Sequence, residues 1–245
     1  MSTTAVLRSE WIKIRSLRSV SGSLIAVFLV TMVVTVLTFA TVGQAGADDA
    51  DAELVFGAFY ALNFGQIAAI SFGATAISSE YLNGALRMSL AAVPRRTHFY
   101  AVKMSLIGGA ALVVGLITTF SSFLSGQLFM GEYAIGLGES GALRAAFGGA
   151  IYLALMALLA AGLTVLLRSA IAVLSLFIPF ILIVSFVVGD IAGGAADYLP
   201  DRAGQLVLHQ HPEGSLGPWT GLAVTAGWAA VMMLAGWWAL RRRDA

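Results

Sequence analysis

Long apolar runs alternate along this chain with short segments that hold nearly all of its charge. Six runs, at 19–47, 54–79, 104–131, 145–167, 169–189 and 214–240, contain no Asp, Glu, Lys or Arg. A helix rising 1.5 Å per residue needs about 20 apolar residues to cross hydrocarbon. Each run is long enough, and trimming puts the spans near 20–42, 55–79, 101–126, 145–167, 170–189 and 219–240. Helices are required there, because lipid offers no partner to an unpaired backbone N–H or C=O. The runs also lack the two-residue alternation of barrel strands. The expected fold is all-α and integral to the membrane: six transmembrane helices in one domain over 1–245, preceded by an N-terminal interfacial amphipathic helix.

That first helix is expected over about 4–18. Leu7, Trp11 and Ile14 recur at helical spacing with Leu17 at the edge, while Arg8, Ser9, Lys13, Arg15 and Ser16 lie mostly opposite and Ile12 breaks the pattern. Trp11, Lys13 and Arg15 suit the interface, where a ring sits at headgroup depth and a cation meets phosphate. Ala45-Gly46-Ala47 resembles a signal-peptide cleavage site. The apolar run before it exceeds the usual 7–15 residues, so it reads as a retained span.

Charge orients the spans. Arg8, Lys13, Arg15 and Arg18 precede the first span; Arg87, Arg95, Arg96 and Lys103 lie in the second connection, Arg168 in the fourth, and Arg241, Arg242 and Arg243 in the tail. The opposite side holds only Arg144 and Arg202 among ten acidic residues. Basic connections stay in the cytoplasm, so both termini are expected there and the number of spans is even. Composition agrees. Some 59% of residues are hydrophobic and 11% charged, against about 25% charged in soluble domains, and a soluble fold of this length could not cover so much apolar surface. The chain has no cysteine, which excludes a disulfide framework, a thiol nucleophile and a thiolate metal site. Its preference for arginine over lysine, with abundant Ala and Gly, suggests a high-GC bacterium and hence a bacterial plasma membrane as the location of this multi-pass chain.

Much chemistry is missing. Lys13 is followed by Ile14 and Lys103 by Met104, so no Gly-rich loop ending in Lys-Ser/Thr can cradle a nucleotide phosphate. The apolar runs hold no Asp, Glu, Lys, Arg or His side chain, which argues against a proton- or sodium-driven carrier. His209-Gln210-His211 reads as an exposed polar loop rather than a metal site, and no serine has a base nearby in the spans. No catalytic residue, bound cofactor, metal or nucleic-acid partner is expected. Asn63, Gln66, Thr118 and Ser122 are candidates for lining a path, although hydrogen bonding between helices is the plainer reading. Small-residue pairs, Ala111 with Gly115, Ala157 with Ala161 and Ala223 with Gly227, predict close helix approaches.

The second connection, 80–103, is different. Glu80, Gly84 and Arg87 fall at i, i+4 and i+7 on one predicted helical face, Leu82, Leu86 and Leu90 form another row, and Pro94 stops the helix before Arg95 and Arg96. A short helix joined rigidly to two spans would move both when pushed. Glu80, Tyr81, Gly84, Leu86, Arg87, Pro94, Arg96 and Lys103, with the basic segment Ser9-Glu10-Trp11-Ile12-Lys13-Ile14-Arg15, resemble the membrane subunit of ABC-2 type transporters. Ala85 departs from the threonine common there, while Tyr198-Leu199-Pro200 and Ala203-Gly204 resemble a segment before the last span. The resemblance implies an exporter permease of six helices, dimerising with a second copy or a paralogue above two cytoplasmic ATPase subunits that bind ATP and Mg. Glu80, Gly84, Arg87, Pro94, Arg95 and Arg96 would couple it to the ATPase, and 190–218 would form an outer lid with short re-entrant helices. The competing class is a polytopic membrane protein for assembly, resistance or sensing, with no ATPase.

Overall fold

The computed structural model describes residues 3–47, 53–93, 95–185, 187, 193–211 and 215–242, and every regular element among them is helical. In chain order these are α1 (Thr3–Ser16), α2 (Arg18–Ala47), α3 (Leu54–Phe59) and α4 (Leu62–Ser78). A 3₁₀ turn, Ser79–Gly84, leads into α5 (Ala85–Ala92), followed by α6 (Arg96–Gln127), α7 (Ala142–Leu167) and α8 (Ala170–Pro179). The last elements are 3₁₀ turns at Gly193–Tyr198 and Leu206–Leu208 flanking α9 (Pro200–Gln205), and α10 (Pro218–Arg242).

Five helical stretches are long and apolar enough to cross a bilayer: Arg18–Val42, Leu54–Leu82, Arg96–Gln127, Ala142–Leu167 and Pro218–Arg242. They match five of the expected spans, the second with a turn between α3 and α4. The sixth, 170–189, falls short among the described residues. Pro179 closes α8, and the backbone widens into a π-helical stretch over Phe180–Ser185. Proline lacks the N–H that would continue the α ladder, and a wider turn is one way to absorb the loss. Residues 186 and 188–189 of that span lie outside the described residues.

Helix α7 is the axis of the bundle, packed against α4, α6 and α10. It can sit there because its buried surface is largely alanine and glycine, which let backbones approach closely. At Gly73 on α4 a Cβ atom would stand 2.0 Å from the Ala157 carbonyl oxygen, so any side chain would force α4 off α7. The expected close approaches are found at Gly115, which meets Ala150, and at Ala157. Ala223 and Gly227 instead lie on an open face of α10. Larger side chains fill the space between helices, with Phe59, Phe72, Phe123 and Tyr152 fully buried. Around them α2 and α10 turn Ile25, Leu29, Val33, Leu37, Val231 and Leu234 outward, more than half exposed, as lipid-facing helices do.

The basic residues gather at one end. The Arg168 guanidinium lies 5.7 Å from the Tyr81 ring, Arg96 Nη1 donates to the Leu240 carbonyl at 2.8 Å, and Lys13 reaches Glu80. Arg144 is at the other end, donating to the carbonyls of His209 and Gln210.

Candidate functional site

Helix α1 does not present the face that its apolar spacing predicts. Val6, Glu10 and Ile14 are buried, whereas Trp11 and Ile12 are exposed. Lys13, expected among the outward polar positions, turns inward. The reason is electrostatic. Glu10 is 2% exposed, Lys103 2% and Glu80 4%, so each charge needs an opposite one at hydrogen-bond distance.

The structure supplies those partners. Lys103 Nζ, on α6, donates to Glu10 Oε2 at 2.6 Å and to Glu80 Oε1 at 2.7 Å. Lys13 Nζ lies 2.7 Å from Glu10 Oε1 and donates to Glu80 Oε1 at 2.9 Å. It also reaches Ser89 Oγ on α5 at 2.9 Å, and Ser89 in turn donates to Glu80 Oε2 at 2.9 Å. Phe99 closes the side, its ring centre 5.8 Å from Lys13 Nζ. Burial pulls the Lys13 ammonium down, but the Glu10 and Glu80 carboxylates outweigh it and hold it above its ordinary value of 10.5. Two carboxylates and two ammoniums, with the Ser89 hydroxyl, thus tie four elements together: α1, the Ser79–Gly84 turn, α5 and α6. Lys103 lies within the third expected span and is tolerated there because two carboxylates meet it.

Gly84 shapes the outer part of this site. Its φ of +72° is left-handed, a conformation that glycine adopts without steric cost. The chain therefore breaks between the 3₁₀ turn and α5, and this corrects the sequence expectation. Glu80, Gly84 and Arg87 do not share one helical face, since Glu80 is buried while Gly84 and Arg87 are exposed. Of the leucine row only Leu86 is buried, and Leu82 is 62% exposed. Helix α5 ends at Ala92, and the expected stop, Pro94, lies outside the described residues. Arg95 and Arg96 belong to a different surface, at the start of α6 beside the end of α10.

The profile of the ABC-2 family of transporter proteins matches residues 6–189. The chain belongs to that family. No curated protein and no solved structure matches it. It is an ABC-2 permease, a multi-pass membrane protein of a transporter. The matched region begins within α1 and takes in the whole charge cluster.

The candidate path residues of the permease each have a hydrogen-bond partner within the chain. Gln66 is buried and accepts a short hydrogen bond from the Tyr152 hydroxyl, which Gln205 Nε2 also approaches at 3.4 Å. Ser122 meets Thr35 Oγ1 at 2.7 Å, joining α6 to α2. The Thr118 hydroxyl returns to the Val114 carbonyl at 2.7 Å, and Asn63 Nδ2 donates to the Tyr60 carbonyl at 3.0 Å. Gln66 and Ser122 thus bond across helices, the plainer of the two readings that the sequence leaves open.

At the opposite end the segment before α10 forms a packed layer. Ala203, Val207 and Leu208 are fully buried, the Thr225 hydroxyl donates to the Pro200 carbonyl at 2.8 Å, and Trp228 Nε1 donates to the Tyr198 carbonyl at 3.0 Å. His209 Nδ1 lies 2.6 Å from Glu53 Oε2 and its ring stacks on Phe56 at 4.0 Å. Glu53 Oε1 also accepts the His211 backbone N–H. Among the described residues no group of three or more His, Cys, Asp or Glu could hold a metal ion. Asp201 was not foreseen. It is 4% exposed, burial pushes its carboxyl above the usual 3.8, and the nearby Ser185 hydroxyl offsets part of this. Among the described residues neither Asp201 Oδ1 nor Ser185 Oγ has a partner in good hydrogen-bond geometry.

Proposed function

We propose that this permease is the membrane subunit of an ATP-driven exporter in a bacterial plasma membrane, powered by separate cytoplasmic ATPase subunits. The observation that carries the reading is the buried junction of Glu10, Lys13, Glu80 and Lys103. A load on the exposed face of α5 passes through Ser89 to Glu80 and Lys13, and so to the turn, α1 and α6; pulling the turn or α6 away would take Glu80 or Lys103 from its partners, and leaving a buried charge unpaired costs about 3–5 kcal/mol. Such a rigid joint suits a lever, and Arg87, exposed on α5, is the side chain we assign to contact with the ATPase. Glu80 acts by holding α5 in place. Gly84 sets the angle at which α5 leaves the turn.

In this reading both termini are cytoplasmic and the 170–189 segment completes six crossings with the five long helices. Two permeases pair, as identical copies or as paralogues, and the outward α2 stripe of Ile25, Leu29, Val33 and Leu37 offers an apolar surface for pairing. The outer layer at 193–211 lies over the exit. ATP and Mg bind the partner ATPase, and this chain supplies the path.

The test is co-expression with the ATPase subunit. The expected result is a complex that survives purification and hydrolyses ATP faster when its transport cargo is present. Arg87→Ala should leave the permease folded and weaken that stimulation at least ten-fold. A permease that captures no ATPase in any nucleotide state would overturn the proposal in favour of a polytopic protein without an ATPase.

A further inference from the structure

Two clefts meet where α6 begins and α10 ends. The first, of about 610 Å³, is lined by Arg95, Arg96, His98 and Arg241 and by no acidic residue among those described. The second, of about 440 Å³, runs on along the same two helices and is lined by Tyr100, Met233, Leu234 and Trp237. Thr97 and Ala101 are walls of both, so the basic basin opens into the apolar trough. Two of the basin's cations are held in place. Arg96 is fixed by its bond to the Leu240 carbonyl, and the Arg241 guanidinium lies 4.9 Å from the Trp237 ring. Trp237 is itself anchored, Nε1 donating to Thr97 Oγ1 at 3.1 Å.

A cationic basin continuous with an apolar trough, both on the outside of a membrane bundle at its arginine-rich end, matches a molecule with an anionic head and a hydrocarbon tail. Arginine and histidine donors grip phosphate oxygens, and basic pockets between transmembrane helices are where anionic headgroups bind. We infer that this cleft binds one anionic diacyl phospholipid, its phosphate among Arg95, Arg96, His98 and Arg241 and an acyl chain along Met233, Leu234 and Trp237. The lipid would bridge α6, which carries Lys103, to α10, and so brace the charged junction from the side facing the bilayer. This assignment takes Arg95 and Arg96 out of the surface that meets the ATPase.

The test titrates the purified permease in mild detergent with dioleoyl phosphatidylglycerol and dioleoyl phosphatidylcholine, reading bound lipid by native mass spectrometry. Phosphatidylglycerol should bind at least ten-fold tighter. Replacing the exposed pair, Arg95→Gln with Arg241→Gln, should remove about ten- to thirty-fold of that preference, whereas Arg8→Gln with Arg15→Gln on α1 should leave it intact. Leu234→Gln in the trough should weaken both lipids together. Equal binding of the two lipids, or equal effects of the two arginine pairs, would overturn the inference. Displacement of the lipid by sn-glycerol 3-phosphate at matching concentration would reduce the site to a free-anion site. Loss of ATPase capture by the Arg95/Arg241 variant with lipid preference unchanged would make it a protein-docking surface.

Discussion

Replacing Lys103 with methionine keeps most of the side chain's length and removes the charge that Glu10 and Glu80 share. Both carboxylates are almost fully buried, and Lys103 meets them at 2.6 and 2.7 Å. After the change only Lys13 remains to balance the pair, and it is one-third exposed. Breaking a buried ion pair from one side costs about 3–5 kcal/mol. For a chain of this size each kcal/mol moves Tm by about 2–4 °C, so Lys103→Met should lower Tm by roughly 6–20 °C. The assay is thermal unfolding of the purified permease in detergent, followed through its tryptophan fluorescence. Glu10→Gln supplies the second corner of a double-mutant cycle. The double variant should be more stable than the two separate losses predict, by at least about 1 kcal/mol, because each change removes the charge that the other orphans. A Tm fall below about 2 °C for Lys103→Met, or strict additivity, would refute the claim that these groups act as one unit.

Three other outcomes follow from single positions. At Asp201 the folded state holds its proton more tightly than the unfolded chain, so stability should fall as pH rises from about 3.8 to the raised folded value and then level off; Asp201→Asn should flatten that slope and raise Tm at neutral pH, as a pH series of melts would show. Gly73→Ala puts a methyl 2.0 Å from the Ala157 oxygen and should cost about 1–3 kcal/mol by parting α4 from α7, read as a lower Tm. Gly84→Ala meets no neighbour but must hold φ near +72°, so it should cost only about 1–2 kcal/mol, with Gly84→Asn milder because asparagine tolerates the left-handed region; comparing the melts of the two variants separates backbone strain from lost space.

Five of the spans and the basic end were legible because lipid imposes a strong, simple rule on composition, and charge-free runs are easy to see. Glu80 and Lys103 stood out for the same reason, as charges at the edge of such runs. What the pattern could not give is where α1 turns. An apolar face of Leu7, Trp11 and Ile14 competes with a face of Val6, Glu10 and Ile14, and the second wins only because Lys103, far along the chain, waits to neutralise Glu10 while Glu80 receives Lys13. One signal was present. Glu10 and Lys13, three residues apart, are an acid and a base that can meet on one helix. The break at Gly84 escaped a reading by helical spacing alone, since that spacing assumes a continuous helix and a glycine inside one is equally a place to end it. The 193–208 layer was expected through the family resemblance, not from any local period. Its Val207 and Leu208 are buried against α7 by packing that no local period encodes. Pro179 was visible, but a proline near the end of an apolar run marks either a kink or a stop, and the structure shows α8 passing into a wider turn.

The two carboxylates and two ammoniums of the junction cancel. A transmembrane voltage does work on a displaced group in proportion to its net charge, about 2.3 kcal/mol per elementary charge per 100 mV. Moved as one block, this neutral set would exchange almost no energy with the membrane potential, so any displacement of the joint would cost the same whether the membrane is polarised or not.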